Sequence, residues 1–336
     1  MRRESYPRVK RGHIVPVVYL RNFAESDQVA LHRTDQAGCE LRNVRTAGTR
    51  GPFYRRQRPD GTEIDDVEAS LSVLEEKVKP VFDEILDGAP LTLERKSVLA
   101  QFFGLQLVRG PAFFKVRTEL IDDFLRELGA DAFEPAAVEE ASSDVELARQ
   151  RARDAELSAT ARFVKMFGIG SKLGAVLGSM RWHLLDFRAP ILAVSDHPVV
   201  TWPADARMTE AFSVPRLDPL GAVEVRVPLS DRMAILMTWQ DVPDRGTPVA
   251  ANGRLAGELN AFVVAQADRQ WMHRPGPEPV VFPGQFGPLY RSFELGYSAL
   301  SLAGSRRRAH AVGFFERVRD EQFLGEIEVA DLQWDQ

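Results

Sequence analysis

The sequence predicts an α+β fold, and three observations carry that prediction. Apolar residues recur at spacings of three and four from about residue 63 to residue 186, the period of amphipathic helices. From residue 189 the pattern changes to short apolar runs of strand length. No strand–glycine loop–helix unit occurs, which excludes dinucleotide-binding and P-loop readings. The expected architecture is a small N-terminal hairpin, a helical middle and an antiparallel β-rich C-terminal part closed by a helix. One domain spans 11–270, divided into an N-terminal lobe (11–60), a helical region (63–187) and a β-rich region (189–270). A proline- and glycine-rich C-terminal extension, 271–336, packs on the body.

In chain order, Ile14–Ala24 reads as a short helix with Pro16 in its first turn, where a fixed φ suits the helix start. Gln28–Thr34 and Cys39–Thr46 alternate apolar and polar residues around Asp35-Gln36-Ala37-Gly38. This is a hairpin with Gly38 supplying a positive φ. Ile64, Val67, Leu71, Leu74, Val78, Val81 and Ile85 line one face of a helix that Gly88-Ala89-Pro90 ends. Thr92 caps a second helix bearing Val98, Leu99, Phe102, Phe103, Leu105 and Leu107, which stops at Gly110-Pro111.

An amphipathic segment, Phe113–Leu128, follows, then a polar connection over 129–143. Further helices are expected over 144–156 and 158–186, the latter interrupted at Gly168-Ile169-Gly170. Pro190–Val194, Val199–Trp202, Ala222–Pro228 and Met233–Trp239 read as strands of one antiparallel sheet, because the turns between them are too short for parallel crossovers. Arg254–Arg269 is a helix with Leu255, Leu259, Phe262, Val263 and Ala267 on one face, and Phe293–Leu302 and Ile327–Leu332 are further strands.

Composition bounds the function. At 44% hydrophobic and 27% charged residues the chain is far too apolar to be disordered. Uncharged apolar runs such as Leu173–Met180 and Pro190–Ser195 fall short of the roughly 18 residues a membrane helix needs, so no membrane association is expected. The lone Cys39 offers neither an internal disulfide nor a zinc knuckle. Met1-Arg2-Arg3-Glu4-Ser5-Tyr6-Pro7 lacks the apolar core of a secretion signal, and both features point to the cytoplasm.

Although net charge is −5, residues 1–60 hold thirteen Arg and Lys against six Asp and Glu, leaving the remainder strongly acidic. A basic lobe of this kind attracts an anionic small molecule or a nucleic acid, or else docks onto the acidic body. A protein partner is the third expectation, resting on aromatic residues Trp271, Phe282, Phe286, Tyr290 and Phe293.

Three groups of residues carry possible chemistry. His13 stands just ahead of the helix that Pro16 starts, where outward backbone N–H groups favour a neutral imidazole fit for base or ligand duty; capping the turn is the structural alternative. Ser195-Asp196-His197-Pro198 directly follows a buried strand. There Asp196 orients His197, holds a metal ion or makes an Asx turn. Glu68 and Glu75 share a helix face, and Gln106 and Arg109 lie one turn apart, as ion pairs or as the lining of a cleft. No G-x-S-x-G elbow, catalytic-cysteine signature or H-E-x-x-H zinc motif is present.

The expected function is hydrolysis of a phosphodiester or nucleotide. His13 or His197 serves as general base, and Asp196 orients it or holds a divalent ion. Arg21 and Arg109 neutralise phosphate charge, with Tyr19 and Gln106 as further substrate contacts. Magnesium or manganese, held by Asp196 and Glu75, is the expected cofactor. The rival reading is a non-catalytic sensor or binding module for an anionic ligand or a protein partner.

The same strings resemble the bacterial domain-of-unknown-function family 4238. Its opening pattern is matched by His13-Ile14-Val15-Pro16-Val17-Val18-Tyr19-Leu20-Arg21-Asn22-Phe23, with Val17 where many members carry a polar residue. Its aromatic pair is matched by Phe53-Tyr54, its glutamate-bearing helix around Glu68 and Glu75, and its arginine-before-proline step by Arg109-Gly110-Pro111. The Ser195-Asp196-His197-Pro198 turn and the Pro228-Leu229-Ser230 step complete the match. The resemblance implies a shared fold and brings no established activity.

Overall fold

The computed structural model describes residues 12–50, 56–57, 63–64, 66–109, 159–203, 222–239 and 245–282. The expected segments at 113–128, 129–143, 144–156, 293–302 and 327–332 lie outside the described residues, as do Phe53-Tyr54 and the Glu68 side chain.

The described elements form an α+β protein. In the N-terminal lobe, β1 (Gly12–His13) pairs with β4 (Thr49–Arg50). Between them come α1 (Val17–Leu20), a 3₁₀ turn over Arg21–Phe23, the hairpin of β2 (Gln28–Arg33) and β3 (Cys39–Asn43), and α2 (Val44–Ala47). The hairpin turns at Gly38 with φ +89°, as its sequence predicts. β5 (Arg56–Gln57) and β6 (Glu63–Ile64) make a second, two-stranded ladder.

α3 (Asp66–Leu86) and α4 (Leu93–Arg109) lie where the helical period puts them. Leu71, Leu74, Val78, Phe82 and Ile85 are all buried. Gly88, at φ +93°, ends α3, and Thr92 Oγ1 accepts the Arg95 N–H at 3.3 Å to cap α4. α5 (Ala159–Ser179) corrects the sequence reading twice, because it runs unbroken through Gly168-Ile169-Gly170 and stops before residue 186. Its glycines serve contact rather than interruption. A Cβ at Gly170 would stand 3.1 Å from the Leu105 Cα, and one at Gly174 would stand 2.9 Å from the Gln101 Cα. α4 answers with Gly104, whose added Cβ would lie 2.3 Å from the Gly170 carbonyl oxygen and the Gly174 nitrogen. Backbone meets backbone at this crossing.

Residues 181–186 are strand β7 rather than helix, and the run Arg181–Asp186 shows why. Trp182 and Leu184 enter the main core while Leu185 faces the second one, a period of two hidden inside a short apolar stretch. A five-stranded sheet takes the order β12 (Arg245–Ala250), β7, β11 (Met233–Thr238), β10 (Ala222–Pro228), β9 (Val200–Pro203). It is antiparallel except for the β12–β7 pair. Strand β12 is illegible in the sequence, since Gly246 and Pro248 sit inside it; as an edge strand it tolerates both.

The run at 190–194 does not join that sheet. It supplies β8 (Ala193–Ser195) to a separate antiparallel sheet ordered β3, β2, β13 (Gln270–His273), β8. Residue 271, read as the start of the extension, therefore lies in a strand paired on both sides.

Two apolar clusters fix the layers. The larger joins Tyr19, Leu20 and Phe23 to the buried faces of α3, α4 and α5 and to Trp182, Val225, Val227, Ile235 and Met237 on one side of the five-stranded sheet. On its other side Leu185, Val200, Trp202 and Leu236 pack against Leu255, Leu259 and Phe262 of α6 (Gly253–Ala265). The N-terminal lobe thus shares its core with the helices and does not stand alone. No described helix is long and apolar enough to cross a membrane.

Candidate functional site

His13 is held by backbone. Its strand pairs with Thr49, and the N–H groups of Ile14 and Val15 both donate to the Gly48 carbonyl, at 2.8 and 3.3 Å. Any side chain at residue 48 would collide with the Val15 carbonyl oxygen, so glycine permits the approach. The His13 Nε2 lies 3.1 Å from the Arg45 carbonyl oxygen. A carbonyl only accepts, so Nε2 carries the proton and Nδ1 presents the lone pair. Burial lowers the His13 pKa below the ordinary 6.5, and the nearby Arg109 charge lowers it further; the Arg45 carbonyl and Glu75 oppose this. His13 is thus neutral at pH 7, and it feels both members of an ion pair carried by α3 and α4.

That pair is Arg109 and Glu75. Arg109, the last residue of α4, is 1% exposed and donates from Nη1 to Glu75 Oε1 at 2.8 Å. A cation there also suits the negative end of the helix dipole. One turn earlier on the same face is Gln106, buried in the core boundary. Among the described residues neither its Oε1 nor its Nε2 has a hydrogen-bond partner. Leaving a buried polar group unpaired costs about 1–3 kcal/mol, and this amide stands one turn from a buried arginine.

The Ser195–Pro198 turn belongs to the four-stranded sheet. Ser195 Oγ donates to the His197 carbonyl at 2.9 Å and accepts the His197 N–H at 3.2 Å. Asp196 Oδ1 and Oδ2 accept the backbone N–H groups of Asp268 and Arg269, each at 2.9 Å. Its own N–H donates to Gln270. The carboxylate therefore ties the connection between α6 and β13 to the end of β8. Burial raises the Asp196 pKa, while His197 and the two backbone donors pull it down. Gln270 links this turn to the lobe, because its Nε2 donates to the Ala47 carbonyl at 2.6 Å, in the helix that also offers the Arg45 carbonyl to His13.

Tyr19 and Arg21 have partners of their own. Tyr19 is fully buried against Phe23, Phe82, Phe102 and Phe103, and its hydroxyl donates to the Pro228 carbonyl. Burial holds its pKa well above the ordinary value. Arg21 pairs with Asp27 at 3.3 Å on the surface. Arg33 and Arg42 both pair with Glu40, so part of the lobe's positive charge is neutralised locally.

The structure therefore gathers His13, Glu75 and Arg109, with Gln106 on the same face of α4 as Arg109. The coupling of His13 to Glu75 and Arg109 had no sequence signal, since these residues lie on three elements far apart in the chain. Glu75 and Asp196 are each engaged with other partners. Among the described residues no three His, Cys, Asp or Glu side chains form a metal-holding group.

Comparison with known proteins gives one match. The model of a protein family of unknown function, DUF4238, covers residues 11–276, most of the chain. No curated protein and no solved structure matches. The histidine-to-phenylalanine opening that builds β1 and α1, and the aspartate turn that clasps β13, both fall inside the matched span; the chain belongs to the DUF4238 family.

Proposed function

We propose that this protein hydrolyses a phosphorylated substrate, a phosphodiester or nucleotide, in a site made by His13, Glu75, Gln106 and Arg109. The observation that carries the reading is the buried Gln106 amide beside a buried arginine, with a neutral histidine in electrostatic contact. Arg109, held by Glu75, offers its fixed positive charge to phosphoryl oxygens. Gln106 donates a further hydrogen bond from its amide. His13 Nδ1 takes the proton of an attacking water as the new P–O bond forms. The bond to the leaving oxygen then breaks with its electron pair, and that oxygen is protonated by the imidazolium or by solvent. Asp196 supports the neighbouring turn through its backbone bonds.

The test is a panel of nucleotides, single-stranded DNA and RNA, assayed with magnesium or manganese against wild type and His13→Gln. Wild type is expected to turn over at least one substrate class, with His13→Gln slower by roughly a hundredfold or more. Binding without turnover would instead support an anion sensor, since Arg109 and Gln106 serve that role without a base. Neither binding nor turnover would overturn both readings.

A further inference from the structure

A second histidine group lies outside this site, on the four-stranded sheet. β13 pairs with β2 so that Trp271 faces His32 across the ladder, with His273 two residues further on. Residues two apart on a strand share a face, so His32, Trp271 and His273 lie together. All three are buried. The His32 ring stacks flat on Trp271, centroids 3.8 Å apart at 5°, which fixes its plane. The two imidazoles point their Nε2 atoms at one another, 3.2 Å apart. His273 Nδ1 donates to the Arg274 carbonyl at 2.7 Å, so its Nε2 carries a lone pair.

We infer that His32 and His273 form a two-histidine binding site for a divalent transition-metal ion of the zinc or copper class. Two nitrogens bound tetrahedrally at zinc–nitrogen distances stand about 3.3 Å apart, close to the separation already present. The Nδ1–H bond from His273 to a backbone carbonyl is the outer contact that orients metal-bound imidazoles and fixes their tautomer. Burial lowers the pKa of both rings, and the Glu278 charge opposes this by favouring positive charge beside them. Imidazole suits zinc and copper better than magnesium or calcium, which prefer oxygen. Without the ion, His32 Nε2–H donates to His273 Nε2. On binding, that proton moves to His32 Nδ1 through solvent, and both Nε2 lone pairs meet the metal. Solvent completes the coordination sphere, because no third ligand converges among the described residues.

The experiment uses the full chain, free of any affinity tag and stripped with a chelator. It is titrated with Zn²⁺ by calorimetry and loaded with Cu²⁺ for electron paramagnetic resonance. The expected result is one Zn²⁺ per chain, weakened about tenfold or more by His32→Gln and by His273→Gln. The wild-type Cu²⁺ spectrum should show two imidazole nitrogens, a readout that stands even if a variant fails to fold. Absence of those two nitrogens, or Zn²⁺ binding unchanged in both variants, would show that the histidines share only a hydrogen bond.

Discussion

Gly104→Ala perturbs the helix crossing that carries half of the proposed site. The added Cβ would sit 2.3 Å from the Gly170 oxygen and the Gly174 nitrogen, against ordinary contact beyond 3.4 Å, so α4 and α5 must part by roughly 1 Å. Both obstacles are backbone, and no side chain can rotate away. Overpacking of this kind costs about 1–3 kcal/mol, here near the upper end, while alanine returns about 1 kcal/mol of helix propensity. A net loss near 2 kcal/mol is expected. Gly168→Ala is the control, because a Cβ there meets nothing within 4 Å. It should stabilise by about 0.5–1 kcal/mol through the same propensity. Urea denaturation followed by far-UV circular dichroism reads both, with midpoints moving in opposite directions. Gln106 and Arg109 ride on α4, so Gly104→Ala should also weaken nucleotide binding. Equal stability of the two variants would refute the backbone-to-backbone crossing.

Two further outcomes follow from the geometry. Asp196→Ala strips the acceptors from the Asp268 and Arg269 N–H groups and should cost about 2 kcal/mol, the loss of two charge-assisted bonds less the relief of a buried carboxylate; an unchanged urea midpoint would return Asp196 to the candidate chemistry. For His13 the folded pKa lies below the unfolded 6.5, so its contribution to stability is complete above about pH 6.5 and is lost as pH falls through the lowered folded value. Urea midpoints from pH 7.5 to 5 should therefore fall more steeply in wild type than in His13→Gln, and parallel profiles would contradict a half-buried neutral imidazole.

The helical middle was legible because apolar residues recur at three and four along both helices; α3 buries them as one stripe, whereas α4 is buried on every face from Lys96 to Arg109. The hairpin was legible because Gly38 punctuates two alternating strands. What failed shares a cause: short apolar segments take their state from partners distant in sequence. Residues 181–186 look like the end of a helix until β11 and β12 flank them. Pro190–Val194 looks like a neighbour of Val199–Trp202, yet β8 pairs with β13, near residue 272, and leaves the five-stranded sheet. Glycines at 168 and 170 read as a break because sequence alone does not show α4 lying against them. The candidate site was legible in its parts. Gln106 and Arg109 stand out by their spacing of one turn at the end of their helix, and His13 by its place before Pro16. Their convergence was not, since the Arg45 carbonyl that fixes the His13 tautomer is a backbone atom and leaves no mark in composition.

Gln106→Leu tests the central claim most directly, because the two readings of that residue predict opposite signs. A buried amide without a described partner costs stability, so a leucine of similar volume should raise the urea midpoint, by about 1–3 kcal/mol. If Gln106 contacts the phosphorylated ligand, the same substitution should abolish nucleotide binding and turnover. A more stable protein that no longer binds is the predicted result. A less stable protein that binds and turns over nucleotides as wild type does would contradict the account, leaving Gln106 a structural residue and the proposed site without its central contact.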